Sequence, residues 1–312
     1  MAVEHFNAVF KSLCTKELVS APPAKAATAA VIALVWTNSI ALNVDCETSV
    51  GKVEFGKLVE YQSLLFALAV QSKNEKVSEK AYTFLKTLWT KKSKEVEKLY
   101  FEKMMAMEPA YNVITFISAI LRYYQEEKAD NTLLETNKAK LLDHFVKGLI
   151  AVKVKPNCNH FTACKILLQT TTKDEFKTIL MPALQRSMLR NPEIILEGVG
   201  SIAREMNADI SDCSVELGKI LIQNLYSKND AGRLESVISL KEVAKKCSDI
   251  KAIDTLLTQI FSVLGGSDGK ITVAEYRINL LQVIFICLLM ILVKCLTCVY
   301  FLGCWKLKLC QC

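Results

Sequence analysis

Apolar and polar positions along this chain follow a helical period. Ile253, Leu256, Leu257, Ile260, Phe261 and Leu264 recur at i, i+3, i+4 and i+7, and Val77, Ala81, Phe84 and Leu88 form a second stripe. That spacing lines one face of an α-helix, whereas a half-buried strand needs strict alternation, which is scarce here. With only 6 Pro and 11 Gly, the chain has few breaks. The pattern predicts helices near 3–19, 24–43, 55–72, 76–90, 94–107, 110–126, 133–152 and 159–169, then a regular series from Lys173 onward.

That series gives the fold class. Polar starts recur at Thr172-Lys173-Asp174-Glu175, Asn191-Pro192-Glu193, Ser211-Asp212, Asn229-Asp230 and Ser248-Asp249, separated by 18 to 20 residues. Each joins a capping residue to an acid in the first turn, which satisfies orphan amides and complements the helix dipole. One helix and one turn in about 19 residues make a helix pair in about 38, near the period of a HEAT-type repeat. Pro182 falls inside a predicted helix and should kink it, while Pro192 stands at the permitted first helical position. The next helix turns Ile195, Val199, Ile202 and Met206 inward. A single such pair buries only part of its apolar surface and must stack on neighbours. The expected architecture is an all-α, HEAT or armadillo-like solenoid over 1–282, with room for roughly seven pairs.

Composition narrows the function class. Net charge is +7, but Lys294, Lys306 and Lys308 lie in the last 30 residues. The remaining bias is mild, compatible with RNA or acidic protein surfaces and diagnostic of neither. Cys14, Cys46, Cys158, Cys164, Cys213 and Cys247 are scattered as buried thiols of a reducing compartment would be. The start is mixed-charge and amphipathic, unlike a secretory leader, and no Asn-x-Ser/Thr sequon occurs. The body therefore reads as cytosolic.

Several motifs invite chemistry and are better explained by structure. Cys158, His160 and Cys164 lack an identifiable fourth metal ligand, so a core or loop-lining role is favoured. Residues 265–270, GGSDGK, are one residue short of a phosphate loop and carry Ile271 where its hydroxyl belongs, so they read as an inter-repeat turn. His5, His144 and His160 are the three histidines, and no catalytic arrangement emerges from them. The chain is expected to be no enzyme and to hold no cofactor or metal. The remaining candidate surface is basic: Lys91, Lys92, Lys94 and Lys98 around one turn, Lys147, Lys153, Lys155 and Lys165 around another, and Arg186 with Arg190. Contact with phosphate or acidic protein is weighed there against an ordinary solvated helix face.

Specific stretches carry a family resemblance. Residues 138–147 (KAKLLDHFVK), 153–156 (KVKP) and 175–193 (EFKTILMPALQRSMLRNPE) resemble the N-terminal region of the general-control translational activators, as do 246–249 (KCSD), 261–273 (FSVLGGSDGKITV) and, more weakly, 29–37 (AAVIALVWT). The similarity runs over about 24–282 and is strongest after Asn131. It implies a cytosolic, ribosome-associated HEAT scaffold that senses stalled ribosomes and promotes activation of the initiation factor two alpha kinase in amino-acid starvation. The implied ribosome contact is to rRNA or acidic stalk proteins. Family regions that bind the kinase and the ABC-type ATPase have no counterpart in this sequence, which implies a portion of the ribosome-binding arm, and relatives usually carry further helices before the 24 region.

The resemblance stops at Gln282. Residues 283–305 hold one charge, Lys294, and are long enough to cross a membrane. Their apolar side chains contribute roughly −5 kcal/mol to insertion against about +3 kcal/mol for a central lysine. Every valine codon begins with GT, as most introns do, and the change falls inside the helix begun at 271–281. The favoured reading of 283–312 is therefore translated read-through, with a tail anchor as the second. Cys287, Cys295, Cys298, Cys304, Cys310 and Cys312 are then codon bias and not a zinc cluster. A tail-anchored adaptor and a generic armadillo-like trafficking adaptor are the alternative functions; membrane localisation and ribosome sedimentation separate them.

Overall fold

The computed structural model describes residues 21–44, 49–226, 229–265 and 274–309, with side chains described outside 49–54, 275–276 and 294–309. The predicted helix at 3–19, Cys14, Cys46, the turn at 266–270 and the side chains of the tail cysteines from Cys295 onward lie outside what is described. Among the described residues there are fourteen helices and no strand, so the fold is all-α with HEAT-like packing of adjacent helix pairs. Two compact units divide the chain, Met1–Leu168 and Gln169–Cys312.

In the first unit α1 (Pro23–Asn43), α2 (Ser49–Val70) and α3 (Glu75–Lys91) pack together, α1 touching both of the others. The next helix, α4, begins as a π-helical turn, Val96–Phe101, and continues as Glu102–Ala106. α5 (Tyr111–Lys128) lies against α2 and α4, and α6 (Thr132–Phe145) ends in a second π turn, Val146–Ile150. Two short helices follow, α7 (Cys158–Ala163) and α8 (Lys165–Thr170). The predicted 133–152 helix runs unbroken to Ile150 with its last turn in π form, whereas the predicted 159–169 helix is interrupted at Cys164. The core here is aromatic: Trp89 meets Tyr100, Phe116 and Tyr123 edge-on at ring separations of 5.9, 5.6 and 5.7 Å, a geometry worth about 0.5–1.5 kcal/mol per pair beyond burial.

The second unit shows the repeat most plainly. α9 comprises Lys173–Glu175, a π turn Phe176–Leu180 and Met181–Arg190. It pairs with α10 (Pro192–Glu205), α11 (Ser211–Asn224) pairs with α12 (Asp230–Lys245), and α13 (Ile250–Gly265) pairs with α14 (Ala274–Leu309). The first members of the pairs stack α9 on α11 on α13, and the second members stack α10 on α12 on α14. Two such layers are what helix pairs too amphipathic to stand alone should make. Pro182 falls at the start of the segment that follows the π turn, and the helix continues through it to Arg190.

The five predicted starts all open helices, by differing means. Thr172 forms a capping box: Glu175 N donates to Thr172 Oγ1 at 3.2 Å and Thr172 N to Glu175 Oε2 at 2.8 Å. Asn229 accepts from Gly232 N, and Asp249 from Lys251 N. Asn191 makes no side-chain cap. Ser211 is a correction: it is the first helical residue, and Asp209 accepts from its amide at 3.1 Å and its hydroxyl at 2.6 Å. Ile195, Val199, Ile202 and Met206 are all buried, as is most of the α13 stripe, but Phe261 is 51% exposed and does not belong to it.

Helix α14 runs through 282/283 without a break, and Leu280, Val283, Ile284 and Cys287 are buried on one side of it. Among the described residues Pro23–Asn43 is the one helix long and apolar enough to cross a membrane, and half of its apolar window is buried inside the protein; Arg277–Val293 is a shorter apolar stretch.

Candidate partner-binding surface

Helices α3 and α5 are tied together by Arg122. Its two terminal nitrogens donate to both carboxylate oxygens of Glu79, at 2.8 and 3.0 Å, and its Nε donates to Glu126 at 2.7 Å. The guanidinium also lies 3.9 Å from the centre of the Tyr82 ring. Glu126 accepts in addition from the Tyr82 hydroxyl at 3.0 Å and from Lys86 at 3.3 Å, and Lys86 pairs with Glu127 at 2.6 Å. A planar, forked cation suits this bidentate arrangement as lysine would not.

The charges are tuned accordingly. Its bond from Arg122 holds the Glu79 carboxyl below its usual range, and although partial burial pushes Glu126 upward, the bonds from Arg122 and Tyr82 bring it below as well. Burial, reinforced by Glu126, raises Tyr82, so its hydroxyl remains a donor. Burial disfavours the Arg122 charge but is outweighed by its two carboxylates. The acids of this network are therefore occupied inside it.

Two adjoining hollows share Glu79, Tyr82 and Arg122. One, of about 330 Å³, has an apolar floor of Phe66, Val70 and Ala119 with Lys73 and Lys165 at its edge. The other, of about 470 Å³, runs past Lys86 and Thr87 to Lys91. The fold thus sets Lys165 and Lys91, far apart in sequence, in two hollows that share the Arg122 network.

The other candidate residues are dispersed. Lys92 is half-buried and donates to the Val44 carbonyl at 3.3 Å at the end of α1. Lys94 is exposed just before α4 and Lys98 within its π turn, and Lys147 pairs with Asp143 at 2.9 Å. Lys153 and Lys155 are exposed on the loop after the second π turn, flanking Val154, which is 81% exposed. Arg186 and Arg190 are exposed near the end of α9, in the second unit. Arg122, Lys73 and Lys86 were not legible as groove residues: Arg122 and Glu126 stand at i, i+4, but nothing local indicates the partner Glu79.

Among the described residues, His144, His160, Cys164, Cys213, Cys247 and Cys287 are buried in packing. His160 Nε2 lies 3.0 Å from the Ala67 carbonyl and its ring is 5.0 Å from that of Tyr111. Cys164 is fully buried beside the Ile114 carbonyl, and burial pushes its thiol up to about 12. Among the described residues, no group of three or more His, Cys, Asp or Glu is placed to hold a metal.

Residues 138–271 match the family model described as stalled ribosome sensor GCN1 N-terminal. Over 262 residues the chain is 29% identical to the human stalled ribosome sensor GCN1 and 28% identical to the mouse protein, in each case covering 84% of this chain and 10% of the relative. Protein ILITYHIA of Arabidopsis thaliana is 24% identical over 251 residues, 80% of this chain and 9% of that protein. No solved structure matches. The chain spans about a tenth of the length of the curated relatives it matches, and over 138–271 it is similar to the N-terminal region of stalled ribosome sensors of the GCN1 type.

Proposed function

We propose that this chain is a non-enzymatic, cytosolic scaffold that contacts the ribosome through its basic surfaces. The observation that carries the reading is the match of 138–271 to the stalled ribosome sensor GCN1 N-terminal model, on a fold of stacked helix pairs. Lysines on such a surface supply salt-sensitive affinity for rRNA phosphates or acidic ribosomal proteins. The 153–155 loop presents two lysines around an exposed valine, and the two hollows along the Arg122 network present Lys165 and Lys91 beside acids that Arg122 and Lys86 already neutralise. In this reading the chain supplies ribosome contact within the amino-acid starvation response, and engagement of the kinase and of the ABC-type ATPase falls to other segments of such proteins.

Charge reversal tests it. Lys153→Glu/Lys155→Glu and Lys91→Glu/Lys165→Glu should each reduce cosedimentation with ribosomes several-fold at low salt, with little change in helicity. Unaltered cosedimentation in both pairs would remove these surfaces from the interface.

A further inference from the structure

We infer that the outward side of α14 is a helix-pairing seam that takes the same helix of a second copy of this chain. On its inward side Leu280, Val283, Ile284 and Cys287 are buried, where α14 packs on α12 and α13. On the opposite side Ile278, Leu281, Phe285, Leu288 and Leu292 are exposed by 56, 55, 67, 50 and 56%. These five are spaced by alternating steps of three and four residues, the a/d period of two helices packing knobs into holes. Single exposed hydrophobics are commonplace, but an unbroken stripe over about four turns marks a binding face.

Three features select a second copy as the occupant. The stripe carries no charge that would choose an unlike partner, and an apolar a/d seam is complementary to itself across a two-fold axis. With the flanking Leu289 and Val293, the exposed side chains offer on the order of 700 Å² per copy, close to the roughly 800 Å² per partner of a standard stable interface. A shallow groove of about 440 Å³ between α12 and α14, bordered by Lys241, Gln282 and Phe285, gives the partner's side chains a place to insert. A lipid surface fits less well over 277–293, because a bilayer-embedded helix is apolar and lipid-facing all round, whereas through Val283, Ile284 and Cys287 the other side of α14 is filled by protein.

Analytical ultracentrifugation of the full chain at micromolar concentration decides the matter. Wild type should sediment at twice the monomer mass, and Leu281→Glu/Phe285→Glu should weaken dimerisation at least tenfold with circular dichroism unchanged. Mixing that variant with Leu281→Lys/Phe285→Lys should restore a dimer. If the Glu variant loses helicity, the milder Leu288→Ala/Leu292→Ala must still weaken the dimer. A monomeric wild type, or a dimer that survives all of these changes, overturns the inference. So does a monomer that cosediments with phosphatidylcholine vesicles and stops doing so in the Glu variant, which would give this face to lipid.

Discussion

Ala129 ends α5 in the left-handed region, at φ 49° and ψ 35°, and its position lets Asp130 N reach back to the Tyr124 carbonyl at 3.2 Å. An L side chain is strained there by about 1–2 kcal/mol, and glycine is not. Ala129→Gly should therefore stabilise the protein by roughly 0.5–1 kcal/mol after its greater unfolded-state entropy is subtracted, a gain visible as a higher urea midpoint. Asp209 acts in the opposite sense. One of its oxygens accepts from the Ser248 amide at 2.8 Å as well as from Ser211, and the other accepts from the Ser248 hydroxyl at 2.5 Å. Ser211 Oγ in turn accepts from the amides of Ser248 and Asp249, at 2.8 and 2.9 Å. The turns of two successive repeats are latched by one carboxylate.

Partial burial pushes Asp209 upward, but the bonds from Ser211 and Ser248 outweigh it and hold the carboxyl at about 2. A folded-state pKa below the unfolded value near 3.8 means stability that is fully present above about pH 4 and lost as pH falls towards 2. Discounted for the solvent around this mostly exposed group, the contribution is of order 1 kcal/mol. Asp209→Asn should remove that acid-dependent component, and Asp209→Ala should cost about 1–3 kcal/mol by leaving amides unmet. Urea titrations at pH 6 and pH 3 check both; an identical pH dependence in wild type and Asp209→Asn would contradict the latch.

Among elements of the second unit, α10 approaches α12 closely. Ser239 Oγ donates to the Leu196 carbonyl at 2.7 Å, and a Cβ placed on Gly200 would stand 2.9 Å from that hydroxyl oxygen and 3.3 Å from the Ser239 Cα. Gly200→Ala should cost about 1–3 kcal/mol by overpacking. Gly148→Ala should be worse tolerated, since its Cβ would meet the Ala110 backbone carbonyl carbon and oxygen at 2.9 Å, and a backbone has no rotamer to yield. Thermal melts of the two variants, with Gly265→Ala as a control that meets nothing within 4 Å, test the order.

Helix starts were legible because capping is local: the Thr172 box and the Asn229 cap depend on residues three positions apart. Helix period was legible for the same reason, and it identified Ile253, Leu256 and Ile260 as core. Phe261 escaped the pattern because its place on the helix circumference depends on where α11 and α14 press, which the sequence does not state. The π turns at 146–150 and 176–180 were likewise invisible, being answers to packing around them. At the surface, local clustering grouped Lys91 with Lys92, whereas the fold separates them: Lys91 goes to the groove and Lys92 to the end of α1. The Arg122 clamp spans 43 residues to Glu79, and no short-range signal announces such a pair.

Within the second unit helix pairs stack and bury their shared faces, and the stretch 138–271 that matches the stalled ribosome sensor GCN1 N-terminal model draws on both units. The network between α3 and α5 sets Arg122 and Lys86 against Glu79, Glu126 and Glu127, and we propose that the exposed Lys91 and Lys165 nearby meet an anionic partner. Arg122→Ala should loosen α3 from α5 and leave Glu79 and Glu126 unpaired beside Lys91 and Lys165, weakening ribosome binding even though Arg122 itself is occupied within the network. The comparison of Arg122→Ala with Lys91→Glu in one cosedimentation series separates that indirect effect from direct contact. The account is tested most directly by the affinity of the purified full chain for purified ribosomes across a salt series. Binding at low salt that falls steeply as salt rises is the predicted result, and absence of binding at low salt, or an affinity indifferent to salt, would contradict it.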